Sequence, residues 1–371
     1  MRESQHRPTS LTVDLSAVVH NAQELIKWTK AKNIIAVLKA DAYGMGAVPV
    51  AKELIKNNLT NKIAVSNLDE ALDLKENGIQ IPIWVFGAHD FSYLNEFIEN
   101  DFEITVGNLE WLEQIPHLNG KLKVQLAIDT GMTRIGFNKV EDIKKGIKII
   151  EENNNLELTG IYTHFATADS ADNFYFKQQV KNWHILTDEL NLPDQLKSVA
   201  NSPTSIWHRD EDLPFYNLRI GAGLYGFDPS DEQLVIPSEL KLIPASKFAT
   251  ALSDVRFVKK GISISYGATY TTNEDSFIGT IPLGYRDGWL RRMQGTDVLI
   301  DGKFMPIVGR VTMDYILIKL DKKYEVGTPV ILFNDAKTLT KLAKQVGTIG
   351  YELITSLNYR VKREYIGGQN G

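Results

Sequence analysis

Several polar residues stand at the ends of predicted strands, where an enzyme could use them. Lys39 follows the apolar run IIAVL, and Asp129 and His164 close two later runs, KVQLAI and TGIYT. The adjacent Asn201 and Ser202, and the cation Arg219, lie at two further strands. A lysine held among apolar side chains has a lowered pKa and can form a Schiff base with a carbonyl compound. A lysine at a strand end can equally extend its amine into solvent, so position alone leaves both interpretations open.

The segment GAGLYG, residues 221–226, matches the glycine pattern of dinucleotide-binding loops. A true loop of that kind opens a helix early in a strand–helix–strand unit. Here the segment follows the last of a series of strands and runs towards Pro229, which disfavours a helix. The amides of Gly221 and Gly223 are better suited to hold a phosphate group, with the Ser202 hydroxyl as a further donor.

Two other residues give weaker signals. His164 has no second histidine at a spacing that binds metal, so we expect no metal site, and a lone histidine is usually structural. Tyr266, in GISISYGATY, has nothing beside it in sequence that distinguishes it from an ordinary strand aromatic.

The composition excludes several kinds of chemistry. The chain of 371 residues contains no cysteine, which rules out disulfides, thiolate metal sites and a cysteine nucleophile. Its 41 basic and 46 acidic residues give a formal net charge of −5, which disfavours a nucleic-acid-binding surface. No apolar run approaches the roughly 18 residues of a membrane span, and MRESQHRPTS at the start has no apolar signal core. We therefore expect a cytoplasmic protein that binds neither nucleic acid nor membrane.

Eight apolar runs with the character of buried parallel strands alternate with segments of helical periodicity. The runs cover residues 33–40, 62–67, 82–87, 102–106, 123–129, 158–165, 196–201 and 216–223. Residues 140–150 carry an apolar helical stripe, and Asn67 with Glu70 predicts a capping box. This alternation predicts a (β/α)8 barrel. A doubly wound open sheet is the alternative, because the sequence does not reveal strand order.

Beyond about residue 240 the apolar pattern changes to the alternation of half-buried strands. Asp301 and Gly302 predict a two-residue hairpin turn, and only one clear helix is predicted, around Leu339. We therefore predict an α/β protein of two domains, with the N-terminal residues 1–11 packed against the second. The domains are a barrel over residues 12–240 and a mostly antiparallel β domain over residues 241–371.

Eight segments together resemble the alanine racemase family. They occur in the family's order and together are highly specific, although any one of them would be weak evidence. The segments are AVLKADAYGMG (36–46), DTGMTRIGF (129–137), THFATAD (163–169), ANS (200–202), LRIGAGLYG (218–226), SYGATY (265–270), PLGYRDG (282–288) and GRVTMDY (309–315). The resemblance implies a pyridoxal-phosphate-dependent isomerase with a barrel and a β domain. It also implies a supply of D-alanine for peptidoglycan, and a homodimer whose subunits share active sites.

The resemblance implies a role for individual residues. Lys39 would hold the cofactor as a Schiff base and take the α-proton from the D-enantiomer, and Tyr266 would take it from the L-enantiomer in the other subunit's site. Arg219 would face the pyridine nitrogen, and His164, coupled to Arg219, would lower the pKa of Tyr266. An arginine can only donate a hydrogen bond, so the pyridine stays neutral and racemisation is favoured over transamination. The further cofactor-binding residues would be Tyr43, Asn201, Ser202, Gly221, Ala222 and Tyr351.

The substrate would be bound by residues from both predicted domains. Arg134 and the backbone N–H of Met313 would hold the substrate carboxylate, and Tyr285 would line the entrance. Three positions depart from the family pattern. Ala127 stands where the family commonly has a carbamylated lysine that orients the arginine equivalent to Arg134. Thr133 replaces a usual glycine, and Arg286 replaces a usually small residue.

Other functions are compatible with parts of the pattern. A racemase acting on serine or on a broader set of amino acids fits the same motifs. A barrel-type decarboxylase for basic amino acids would place an acid, not Arg219, at the pyridine nitrogen and would use a cysteine. A non-catalytic pyridoxal-phosphate carrier would lack the second domain with Tyr266 and Met313. A barrel hydrolase without cofactor would have no visible absorbance that depends on Lys39.

Overall fold

The first sheet of the computed structural model, which describes residues 4–368, is a barrel of parallel strands. In chain order, the strands in these residues are β2 (Asn33–Val37), β3 (Thr60–Val65), β4 (Ile83–Val85), β5 (Glu103–Val106), β6 (Leu122–Ala127), β7 (Leu156–Tyr162), β8 (Lys197–Ser198) and β9 (Asn217–Ile220). Each pairs with its neighbour in sequence from β2 to β8, and β2 also pairs with β9. The backbone N–H of Arg219 in β9 donates to the backbone oxygen of Ala200, just after β8, at 2.8 Å. The two remaining edge strands, β8 and β9, are therefore neighbours as well. The predicted barrel is confirmed, and the open-sheet alternative is wrong because strand order never reverses.

Helices connect the barrel strands and pack their apolar faces against them. They are α1 (Leu15–Thr29), α2 (Lys39–Tyr43), α3 (Ala47–Lys56), α4 (Leu68–Glu76), α5 (Leu94–Glu99), α6 (Leu109–Glu113), α7 (Val140–Glu152), α8 (Phe174–Thr187) and α9 (Ser202–Trp207). The predicted stripe on α7 is confirmed, with Ile143 and Ile150 buried. The capping box is only half correct. Asn67 accepts from the Glu70 N–H at 2.9 Å, but the Glu70 carboxylate accepts from the N–H groups of Ala40 and Ser66 instead.

A network of polar side chains lies at the end of the barrel where the strands begin. The Lys62 amine lies 2.6 Å from the buried Glu103 carboxylate. Glu103 also accepts from the Gln125 amide at 2.7 Å and from the Thr159 hydroxyl at 3.1 Å. These groups satisfy one another beside a cavity of about 260 Å³, so we assign them a structural role. Barrel enzymes carry their active sites at the opposite end.

The second sheet is mostly antiparallel. The strands outside the barrel are β1 (Ser10–Asp14), β10 (Ser246–Ala251), β11 (Asp254–Val258), β12 (Ser263–Ile264), β13 (Tyr270–Thr271), β14 (Ser276–Ile281), β15 (Asp297–Ile300), β16 (Lys303–Val308), β17 (Ile316–Leu320), β18 (Pro329–Phe333) and β19 (Lys362–Ile366). Within residues 4–368 the second sheet has the strand order β11-β14-β17-β16-β15-β18-β10-β1-β19. Among these described strands, only β1 and β19 pair in parallel. A separate pair is formed by β12 and β13.

The details of this sheet test several expectations. Asp301 and Gly302 both have positive φ, 48° and 75°, and join β15 to β16, so the predicted hairpin turn is confirmed. The predicted helix is α10 (Ala336–Gln345), but a second helix, α11 (Gly350–Thr355), makes the expectation of a single helix wrong. Its six residues are too few to show a helical period.

The chain passes from the barrel to the second sheet between β9 and β10, which end and begin at Ile220 and Ser246. The predicted domain boundaries at residues 12 and 240 stay a prediction. Residues 1–3 of the N-terminal segment and residues 369–371 of the second domain lie outside the described residues. No helix in residues 4–368 is long and apolar enough to cross a membrane.

Candidate active site

A cavity of about 690 Å³ opens at the carboxyl ends of the barrel strands. This is the end at which barrel enzymes carry their active sites. Ten of the residues that sequence analysis assigned to the site line this one cavity. They are Lys39, Tyr43, Arg134, His164, Asn201, Ser202, Arg219, Gly221, Ala222 and Tyr351.

Lys39 is presented to the cavity by an unusual turn of backbone. It follows β2, and the next four residues, Ala40 to Tyr43, all have positive φ, between 52° and 59°. L-residues rarely form such a left-handed turn, because each Cβ approaches the following carbonyl oxygen. Tertiary contacts hold it in place: the Glu70 carboxylate accepts from the Ala40 N–H at 2.8 Å, and Asp41 accepts from the Ala47 N–H at 2.7 Å. Strained backbone of this kind is concentrated at functional sites.

The electrostatic surroundings of Lys39 favour a reactive amine. Burial lowers the pKa of Lys39 from its ordinary value, the positive charge of Arg134 lowers it further, and Glu70 acts in the opposite direction. A lowered pKa leaves a larger fraction of the amine neutral at physiological pH. A neutral amine is the form that attacks a carbonyl carbon, so the half-buried position of Lys39 in the cavity wall favours the reactive interpretation.

Backbone amides and hydroxyls form a small cradle on the opposite wall of the cavity. The Ser202 hydroxyl accepts from the N–H groups of Gly221 and Gly223 at 3.3 and 3.1 Å. A side chain at position 221 would collide with the Tyr43 hydroxyl, so glycine is required there. The Tyr351 hydroxyl is buried and has no hydrogen-bond partner in the described part of the chain. Because an unsatisfied buried hydroxyl is costly, Tyr351 is poised to bind a polar ligand.

Asn201 has a structural role within the same wall. Its side-chain oxygen caps α9, accepting from the Thr204 N–H at 3.0 Å and the Thr204 hydroxyl at 2.8 Å. The cap explains why the chain turns into a helix directly after β8 and leaves Ser202 beside Gly221.

Arg219 lies buried in the floor of the cavity. Its two terminal nitrogens donate to the backbone oxygens of Ser198 and Thr163. Its Nε–H makes no hydrogen bond within residues 4–368 and so is the donor left for a ligand. Burial lowers the pKa of Arg219 to about 10, and the guanidinium therefore stays charged at neutral pH.

His164 faces three cations across the cavity. Burial, followed by the positive charges of Arg219, Arg134 and Lys39, lowers the pKa of the His164 imidazole to about 3. The ring is therefore neutral at physiological pH. The positive charge of Arg219 thus acts on His164, and the role that the resemblance implies for His164 towards Tyr266 stays a prediction.

This lowered pKa predicts that His164 makes the cofactor-free protein less stable in acid. An unfolded histidine takes up a proton below about pH 6.5, whereas His164 in the fold does so only near pH 3. Between these values, proton uptake favours the unfolded chain. The free energy of unfolding therefore decreases by on the order of 1 kcal/mol for each unit by which the pH is lowered. Urea denaturation of wild type and His164→Gln across this window measures the difference. We expect the variant's pH dependence to be shallower, and parallel curves would contradict the assignment.

Tyr266, Tyr285 and Met313 lie outside the cavity, on the second sheet domain. Their exposed fractions are 73%, 39% and 51%. Backbone contacts bring them to one surface. The N–H of Tyr285 donates to the backbone oxygen of Thr312, next to Met313, at 3.0 Å. The hydroxyl of Ser265, next to Tyr266, donates to the backbone oxygen of Arg310 at 2.9 Å. The predicted site residues are therefore divided between one cavity and one exposed surface.

Three residues in or beside the cavity were missed in sequence analysis. The Tyr162 ring lies with its centroid 5.2 Å from the Arg219 guanidinium, and Asp169 brings a carboxylate to the cavity wall. Burial raises the pKa of Asp169. Glu70, which holds the backbone after Lys39, was interpreted only as a cap. Asp169 lies within the THFATAD segment and could have been found there, whereas Tyr162 and Glu70 act through tertiary contacts that sequence does not display.

Comparisons with known proteins match both domains. The family models described as alanine racemase N-terminal domain and alanine racemase C-terminal domain match residues 13–229 and 245–365. The chain is 42% identical over 370 residues to the alanine racemase of Limosilactobacillus reuteri (strain DSM 20016), with 97% of each chain covered. The crystal structure of alanine racemase from E. faecalis has a TM-score of 0.92 at 37% identity and covers 98% of this chain and 100% of that one. The histidine racemase from Leuconostoc mesenteroides subsp. sake has a TM-score of 0.89 at 31% identity, with 99% and 100% covered.

The barrel and the second sheet are thus those of a racemase, an isomerase that acts on a small amino acid. The chain belongs to the alanine racemase family. This confirms the resemblance seen in the sequence. Because both domains match, the alternatives of a carrier protein, a decarboxylase and a cofactor-free hydrolase are set aside.

Proposed function

We propose that the protein interconverts L-alanine and D-alanine with pyridoxal phosphate attached to Lys39, and that it works as a homodimer. The D-alanine would supply peptidoglycan synthesis. Lys39 and Tyr266 would be the two residues that carry the α-proton. The observation that carries this proposal is the division of the site residues between a barrel cavity and an exposed surface of the second sheet domain.

The residues of the cavity fit pyridoxal phosphate. An anionic phosphate ester suits a cavity lined by the cations Lys39, Arg134 and Arg219. The Tyr351 hydroxyl, which has no partner in the described residues, and the hydrogen of the Ser202 hydroxyl are donors of the kind that phosphate oxygens accept. The N–H groups of Gly221 and Gly223 donate to the Ser202 oxygen and so hold that hydroxyl in place. When bound, pyridoxal phosphate supplies an electron sink that makes the substrate Cα–H acidic. Lys39 would bind it through its amine and Arg219 through its Nε–H. The residues around the phosphate would be Tyr43, Ser202, Gly221, Ala222 and Tyr351, and Asn201 would be a further cofactor-binding residue.

The chain's own residues would orient the substrate and move one proton. Arg134 and the backbone N–H of Met313 would bind the substrate carboxylate, which fixes the direction in which the Cα–H points. Lys39 would stand on one face of the α-carbon and Tyr266 on the other. Inversion follows when a proton removed by one of them is replaced by the other. His164 would stay neutral beside Arg219.

The homodimer is supported by the exposure of residues that this reaction needs. Tyr266 and Met313 are exposed in the single chain and are not part of the cavity lining. Tyr285, proposed for the entrance, lies on the same surface. Placing this surface of one subunit over the cavity of the other would complete both sites, because a twofold axis applies the same contact twice.

The test is to incubate the purified protein, supplied with pyridoxal phosphate, with each L-amino acid and to assay for the D-form. We expect D-alanine as the dominant product. Equal or faster formation of another D-amino acid would replace alanine as the substrate, and the similarity to a histidine racemase makes histidine and serine the informative comparisons. No D-form from any amino acid would contradict the proposed function.

A further inference from the structure

Arg134 lacks the acidic neighbour that would ordinarily orient a binding-site arginine. Within residues 4–368 its guanidinium, which is exposed, makes no ion pair and no hydrogen bond. Ala127, the position at which the family resemblance implies an acidic group beside this arginine, is 1% exposed and belongs to an apolar cluster with Trp84 and Tyr162. The rings of Trp84 and Tyr162 pack with centroids 4.7 Å apart. An arginine without a local partner must be oriented by the backbone that carries it.

That backbone is a loop with a strained residue next to Arg134. Thr133 has φ of 57°, in the left-handed region that β-branched residues strongly disfavour. Inside the loop, the Asp129 carboxylate accepts from the N–H groups of Gly131 and Thr133, both at 2.9 Å. A residue in such a conformation persists only when its surroundings over-determine the loop. The loop therefore requires support from outside.

One face of α8 supplies this support. Tyr175, Gln179 and Asn182 are spaced by four and three residues, which places them along one side of the helix. The Tyr175 hydroxyl donates to the Gly131 oxygen at 2.7 Å. The Asn182 amide donates to the Thr130 oxygen at 2.8 Å. The Gln179 amide donates to the Thr130 hydroxyl at 3.2 Å.

Gln179 also binds the strand end that carries His164. Its side chain is completely buried. Its amide nitrogen donates to the His164 oxygen at 3.2 Å, and its amide oxygen accepts from the Ala166 N–H at 2.8 Å. Gln179 thus connects the loop of Arg134 to the backbone of His164 through one rigid group.

We propose that Tyr175, Gln179 and Asn182 are positioning residues that hold Arg134 in place for the substrate carboxylate. They orient the Arg134 guanidinium in place of an acidic side chain beside it. The proposal rests on the proposed substrate-binding role of Arg134. It assigns to α8 a part in substrate binding, although none of these three side chains lines the cavity.

The first test is Tyr175→Phe, which removes one hydroxyl from a side chain that is 41% exposed and should leave folding intact. Losing one hydrogen bond of ordinary strength should raise KM for L-alanine about three- to tenfold. We expect kcat to change less than about twofold and the visible spectrum of the bound cofactor to be unchanged, because the chemistry is not touched. Tyr93→Phe, at a tyrosine that is 51% exposed elsewhere in the barrel, is the matched control. An unchanged KM in Tyr175→Phe would overturn the proposal.

The second test separates positioning from a general effect on structure. If Tyr175 acts through Arg134, adding Tyr175→Phe to Arg134→Ala should raise KM no further. If the two effects multiply independently, the positioning role is overturned while the role of Arg134 stands. If Arg134→Ala alone leaves KM unchanged, the proposed role of Arg134 fails, and the positioning role fails with it. Asn182→Ala can replace Tyr175→Phe in the same double-mutant cycle. It is preferred to a substitution of the buried Gln179, which could prevent folding.

Discussion

Replacing Lys39 with alanine is expected to abolish racemisation and to remove the visible absorbance of the bound cofactor. Two functions are lost at once, because the same amine would attach the cofactor and carry the α-proton. Loss of a general base alone costs about 10²- to 10⁴-fold, so a loss at the upper end of this range or beyond is predicted. The rate of D-alanine formation from L-alanine and the absorbance spectrum, measured on one sample, give both results.

The control for this variant is Lys52→Ala, which removes an exposed lysine from α3. It should retain the activity and spectrum of the wild type. A Lys39→Ala protein that keeps the cofactor absorbance and more than about a tenth of the activity would contradict the role of Lys39.

The lowered pKa of Lys39 adds a second expectation, since burial and Arg134 are its main causes. Arg134→Ala should raise the pH at which the cofactor-free protein captures pyridoxal phosphate.

Replacing Tyr266 with phenylalanine is expected to stop exchange of the α-hydrogen of L-alanine while leaving that of D-alanine nearly intact. In deuterated water, D-alanine should still exchange its α-hydrogen through Lys39, with retention of configuration. L-alanine should exchange about 10²- to 10⁴-fold more slowly than with the wild type, because its proton acceptor is gone. Net racemisation falls equally in both directions, since the equilibrium between enantiomers is fixed. Exchange from each enantiomer, followed by NMR, is therefore the informative measurement.

Tyr270→Phe is the matched control, because Tyr270 belongs to the same hairpin and packs in its small apolar cluster. It should leave both exchange rates close to those of the wild type. Equal slowing of exchange from the two enantiomers in Tyr266→Phe would contradict the assignment of one residue to each face.

Much of the barrel could be predicted because its strands are buried on both faces. Strands such as β5, with four buried residues in succession, produce continuous apolar runs that differ from the helical stripe of α7. Strand order could not be predicted, because it depends on which edges meet after folding. The Glu70 carboxylate shows a similar limit. Local spacing predicts a bond back to Asn67, but the N–H groups of Ala40 and Ser66 offer tertiary partners that compete successfully.

Lys39 could be singled out from its residue type and its place directly after a strand, whereas Arg219 lies within β9 and its role follows from the family resemblance. The left-handed turn that follows Lys39 could not be predicted, because its residues disfavour that conformation and only tertiary contacts maintain it. Gln179 gave no signal either. A glutamine within an amphipathic helix is ordinarily a surface residue, and its bonds to Thr130 and His164 exist only because three chain segments meet there.

We propose that each active site combines Lys39 of one subunit with Tyr266 of the other, and mixed dimers test this arrangement. Chains carrying Lys39→Ala and Tyr266→Phe are coexpressed with different tags, and the heterodimer is purified. We expect one site per heterodimer to be intact, so about half of the wild-type racemase activity should return. If both residues of a site came from one chain, neither site would be intact. A heterodimer no more active than the two inactive homodimers would contradict the shared site.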